Sequence, residues 1–151
     1  MDYNNLLEES ENNGLIVKEK ELFSNDGRIK GNRIAIRKNL LSTEKKCTLA
    51  EELGHYYTSV GRIIDLNDMS NSKQEQKARL WGYNKLIGLR GLIDAYKAGC
   101  RCKYEIANFL DVTEDYLEDA IEKYTSKYGI YAVIDNFVVY FIPNLAVMEL
   151  I

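Results

Sequence analysis

Along the 151-residue chain the spacing of apolar and polar positions changes several times, and each change marks a new element. Leu6 and Leu7 stand among acids and amides, which predicts a short helix over residues 3–13 ended by Gly14. The next stretch, "GLIVKEKELF", alternates apolar and charged residues as a half-buried strand does. Turn signals at Asn25, Asp26 and Gly27, and again at Gly31 and Asn32, surround a short alternating run at 33–37, so a small antiparallel sheet is expected. Ser42 or Thr43 can cap a helix over about 44–58 whose buried side carries Leu49, Ala50, Leu53 and Tyr57. After Gly61, the residues "DLNDMSNS" at 65–72 have the composition of a loop. Helix resumes over about 73–87, where mixed apolar periods predict deep burial around Trp81. Further helices are expected over 89–98, stopped by Gly99, then over 103–109 and 113–124. The end is β-branched and aromatic: "GIYAVIDNFVVYFI", split by Asp135 and Asn136, reads as a hairpin. No repeat or low-complexity stretch interrupts this order, and the expectation is a single α+β domain over 1–151, a small sheet with helices and a C-terminal hairpin.

Charge and composition narrow the classes of function. The formal net charge of −3 gives no general field attracting nucleic acid, so such a role needs a local patch, and direct nucleic-acid contact is not expected. No apolar run reaches the roughly 18 to 20 residues of a membrane span, and the acidic, polar start "MDYNNLLEESENN" is unlike a signal peptide. The expectation is a protein that stays in the cytoplasm. Cys47, Cys100 and Cys102 cannot all pair within one chain, and the Cys100/Cys102 spacing lacks the further ligands of a thiolate metal site, so free thiols are expected.

The segment "TLAEELGHYY", residues 48–57, carries the candidate chemistry. Zinc peptidases of the HExxH type present two histidines four residues apart on one helix face, with the intervening glutamate as general base. Here the pattern is EExxH: Glu51 stands at the first ligand position, Glu52 at the base and His55, the chain's one histidine, at the second ligand position. Residues four apart share a helix face, and a carboxylate oxygen binds zinc at about the same 2.0 to 2.2 Å as an imidazole nitrogen, so the geometry survives the substitution. A third ligand must come from another element, and Glu75 is the carboxylate at the start of the following helix. Two carboxylates and one imidazole leave a zinc site with formal charge zero instead of +1. That weakens water activation and moves preference toward harder ions such as Mn²⁺. Tyr56 and Tyr57 are secondary candidates for oxyanion donors, although tyrosines beside a helix are more often core anchors.

The run "KKCTLAEELGHYYT", with "KQEQKARLWGYNKLI" and "YEIANFLDVTEDYLEDAIEKYTSKYG", resembles the ImmA/IrrE family of metallopeptidases, in particular its short phage and mobile-element members from Firmicutes. The resemblance implies a zinc helix followed by a helix carrying a glutamate ligand. It implies Glu52 as general base, and Glu51, His55 and Glu75 as metal ligands for Zn²⁺ or Mn²⁺. It further implies a protein substrate, a phage-type transcriptional repressor whose cleavage relieves repression. Glu51 departs from the family's first histidine, and Lys77 stands where the family often has a second glutamate. These departures keep a second class open, a protein on the same fold that binds its partner without cutting it. The segment "YEIANFLDVTEDYLEDAI" has the outline of a helix-turn-helix, but its second helix carries Glu114, Asp115, Glu118, Asp119 and Glu122, which phosphates would repel.

Overall fold

Capping at both ends of the first helix shows how local the early structure is. In the computed structural model, which describes residues 1–59 and 68–151, Asp2 caps α1 (Tyr3–Asn12): its carboxylate accepts from the Asn5 N–H while the Asn5 side chain accepts from the Asp2 N–H. Strands β1 (Ile16–Lys20), β2 (Gly27–Lys30) and β3 (Arg33–Arg37) form one sheet in the order β1-β3-β2. The β2/β3 pair is the expected antiparallel hairpin, turning at Gly31 and Asn32. β1, however, runs parallel to β3, Ile16 opposite Arg33 and Lys20 opposite Arg37, so this sheet is mixed. Alternation identifies a strand without fixing the direction of its neighbour.

Helix α2 (Ser42–Thr58) begins two residues earlier than the reading from sequence. Neither Ser42 nor Thr43 is its cap. Leu41 holds that position and its N–H donates to the Glu44 carboxylate at 2.9 Å, half of a capping box. Leu49, Ala50 and Leu53 are fully or almost fully buried, and they meet Ile34 and Ile36, the inward residues of β3, in one core. Tyr57, expected on that side, is instead half-exposed and stacks on Trp81, ring centroids 5.1 Å apart. Helix α3 (Asp68–Leu86) also starts earlier than expected, so residues 68–72 are helical; Gly61 and residues 65–67 of the expected loop lie outside the described residues. Around Trp81 the deeply buried positions are Ala78 and Tyr83, with Trp81 itself only half-buried.

The chain divides into two compact units, residues 1–85 and 86–151. The second unit contains α4 (Gly88–Lys97), α5 (Lys103–Leu110), α6 (Glu114–Tyr128) and the strands β4 (Tyr131–Ile134), β5 (Phe137–Tyr140) and β6 (Ala146–Glu149). Thr113 caps α6 by accepting from the Tyr116 N–H, as the sequence predicts. β4 and β5 form the expected hairpin through Asp135 and Asn136, and β6 extends it to a three-stranded antiparallel sheet. Leu117, Ala120, Tyr124 and Val139 fill the core, and the Tyr124 hydroxyl accepts from the Gly88 N–H at 3.2 Å. The fold is thus α+β. All three cysteines are free. Among the described residues no helix is long and apolar enough to cross a membrane.

Candidate metal centre

Two close contacts set the site, and both need glycine. Gly54, on the buried side of α2, lies so near α3 that a Cβ there would fall 2.0 Å from the Ala78 carbonyl oxygen. The helices therefore touch backbone to side-chain-free backbone, and the residues flanking that contact, His55 on α2 and Glu75 on α3, are brought together. His55 Nε2 lies 3.2 Å from Glu75 Oε2. Glu51, one turn before His55, completes the group: one donor atom from each of Glu51, His55 and Glu75 lies within 4.8 Å of the others. On the other side of α2, Gly27 of β2 sits against Thr48 and Glu52, where a Cβ would be 3.1 Å from Glu52 Cγ. Glu52 is held in that crevice and is buried.

These groups open onto a cleft of about 910 Å³ between α2 and the β2 region, lined by Thr48, Glu51, Glu52, His55 and Tyr56 on one side and by residues 25–29 and Gly31 on the other. Its size suits a ligand-binding cavity. Tyr56 faces this space, whereas Tyr57 is committed to its stack on Trp81, so of the two only Tyr56 remains placed for a hydrogen bond to a ligand.

The electrostatics are those of acids crowded away from water. Burial pushes the Glu52 carboxyl from its ordinary value of 4.5 up to about 7, with the Glu51 and Glu75 charges adding to the rise. Burial also raises Glu51; Arg79 opposes that rise and the neighbouring Glu75 adds to it. Arg79 is a participant that the sequence reading passed over. Its Nε lies 3.4 Å from Glu75 Oε1 and 3.8 Å from Glu51 Oε1, which leaves Glu75 Oε2 for His55. The signal was present, since Glu75 and Arg79 are four residues apart on a helix.

A divalent metal fits this donor set. Tetrahedral zinc with bonds near 2.1 Å holds its ligands about 3.4 Å apart, close to the observed His55–Glu75 separation, and a cation relieves the carboxylate crowding. Arg79 also changes the charge count. Zinc with Glu51, Glu75 and neutral His55 sums to zero, and the guanidinium beside both carboxylates restores the +1 of a site with two histidines and one glutamate.

The family model for Peptidase_M78, described as the IrrE N-terminal-like domain, matches residues 14–122. The chain belongs to this family. M78 members are metal-dependent peptidases of the IrrE/ImmA kind, so the Glu51–His55–Glu75 group lies where a metallopeptidase family and a metal-compatible geometry coincide. Comparison with curated proteins and with solved structures returns no significant match.

Proposed function

We propose that this M78 protein is an endopeptidase that cuts a phage- or mobile-element-type transcriptional repressor in the cytoplasm. In this reading Glu51, His55 and Glu75 hold Zn²⁺ or Mn²⁺ and Glu52 is the general base. The observation that carries it is the convergence of the three donors from two helices, with Glu51, His55 and Glu52 on one cleft wall. A divalent metal there supplies Lewis-acid polarisation of water and of the scissile carbonyl. Glu52 lines the cleft beside the donors, and a bound cation would favour its ionised form, so it is placed to take the proton of the attacking water and return it to the departing amine. An extended substrate has a place to lie: β2 is an edge strand of its sheet, and its free backbone groups border the cleft. The substrate class comes from the resemblance of the sequence to phage-type ImmA/IrrE members.

A specific observation favours the second reading, a binder without cleavage. Arg79 faces the same carboxylates as the metal would, and an ion pair alone can satisfy them. Elemental analysis of protein purified without chelator separates the two. About one metal per chain in wild type and in Glu52→Gln, lost in His55→Ala, with repressor cleavage lost in both variants, is the peptidase result. Absence of metal from wild type after incubation with zinc or manganese, with repressor binding intact, is the binder result and sinks the proposal.

A further inference from the structure

The pairing register gathers positive charge on one face of the N-terminal sheet. Ile34 and Ile36 point inward under α2, so the opposite face carries the alternate positions: Ile16, Lys18 and Lys20 of β1, Arg33, Ala35 and Arg37 of β3, Arg28 and Lys30 of β2. Six of these eight are cations and none is acidic, in a chain whose net charge is −3. Arg37 pairs with Asp26 at 3.3 Å. Among the described residues, Lys18, Lys20, Arg28, Lys30 and Arg33 enter no ion pair, and all five are exposed and line a depression of about 400 Å³ on this face. Lys30 stands directly across from Arg33, and Lys20 across from Arg37. Like charges in opposed sheet positions destabilise a fold; Asp26 offsets the Lys20–Arg37 pair through Arg37, and among the described residues no ion pair offsets Lys30 and Arg33.

We propose that this face binds duplex DNA through its phosphates. The cations lie about 6.6 Å apart along β1 and along β2, about 13 Å apart on β3 where Ala35 intervenes, and about 4.8 Å from an opposed cation across strands at 20/37 and 30/33, a spread of positive charge that suits a line of repeated negative charge. The composition disfavours other anionic partners. A protein interface needs an apolar or aromatic centre and is poor in lysine, whereas this face offers only Ile16 and Ala35. Single-stranded nucleic acid is held by aromatic stacking, and no aromatic residue occupies the eight positions. DNA in preference to duplex RNA is chosen because the proposed substrate is a DNA-bound repressor; that choice, unlike the charge argument, rests on the peptidase reading. Arg28 borders both this face and the cleft, so DNA bound here lies next to the site where its bound protein would be cut. DNA binding here runs against the expectation from net charge of no direct nucleic-acid contact, and it rests on the local patch.

The test is fluorescence anisotropy of a labelled random-sequence duplex DNA titrated with the full chain, without any protein substrate, so that the result is independent of peptidase activity. Five engaged cations give a log K against log salt slope of about −4.5, or about a 500-fold loss of affinity between 50 and 200 mM salt. The Lys18→Glu/Lys30→Glu/Arg33→Glu variant is expected to lose measurable binding. The milder Lys18→Gln/Lys30→Gln/Arg33→Gln variant is expected to bind with a slope of about −1.8, about a 12-fold loss over the same range. The Gln variant should melt no lower than wild type, because the opposed cations at 30 and 33 are removed, whereas the Glu variant sets two like anions across from each other there. No binding by wild type at 50 mM salt, an unchanged slope in the Gln variant, or binding to duplex RNA or a poly-glutamate peptide but not to duplex DNA would each overturn the proposal.

Discussion

Replacing Glu52 by Gln should stabilise the metal-free protein increasingly as pH rises from the carboxyl's ordinary 4.5 to about 7, with the full effect above that. In the folded chain the carboxyl titrates at about 7 against an ordinary 4.5. Between these values the folded state keeps a proton that the unfolded state has released, so stability falls as pH rises through the window and is level above it. Integrating the two titrations from about pH 5 to about pH 8 gives a loss of about 2.5 kcal/mol from this one group. The carboxyl reaches the cleft and water screens part of the effect, which brings the expectation to about 2 kcal/mol. Glutamine keeps the shape and cannot ionise, so the variant should lose this dependence. Urea unfolding with chelator present, followed by the fluorescence of Trp81, the chain's one tryptophan, would measure it. The difference between variant and wild type should grow by about 2 kcal/mol from pH 5 to pH 8. Zinc should shrink it, since a nearby cation favours the ionised carboxylate. Parallel pH profiles for the two proteins under chelator would show that Glu52 is not held in the crevice against Gly27, and the reasoning would fall.

Two other substitutions probe the site. Gly54→Ala drives a methyl into the Ala78 carbonyl and should cost about 3 kcal/mol or more, lowering the melting temperature and weakening zinc binding at least tenfold; a near-native variant with intact zinc affinity would disprove the role given to the contact. Arg79→Met removes the charge that compensates Glu51, so the midpoint of the pH–rate profile for cleavage should move up by about one unit. An unmoved midpoint would remove Arg79 from the electrostatics.

Those effects depend on contacts that differ in how far the sequence discloses them. Glu51 and His55 are legible because one helix carries both and their spacing is a property of the helix alone. Glu75 is legible by chemistry, as the carboxylate opening the next helix. Gly54 and Gly27 are not, since what makes them glycines is a carbonyl on α3 and side chains on α2 that meet them only in the fold. The same limit applies to the sheets. Alternation located β1, yet its parallel pairing with β3 is set by the connection through residues 21–32, which carries β2 to the far side of β3. That pairing turns scattered lysines and arginines into one face. The start of α3 was hidden because Asp68, Ser70, Asn71 and Ser72 are turn-forming types that sequence alone reads as loop. β6 was missed because "AVME" is too short to announce a strand without β5 beside it.

The crevice that joins Gly27 to Glu52 also has an evolutionary meaning. The glycines at 27 and 54 are required by the packing itself, so they would persist in a lineage that had abandoned catalysis. Glu52 is different. Its burial works against folding at neutral pH, and a neutral residue of the same shape would be selected as soon as the carboxylate lost its use. Drift would therefore erase position 52 early and positions 27 and 54 late, and a chain that still holds glutamate at 52 has the residue such decay removes first.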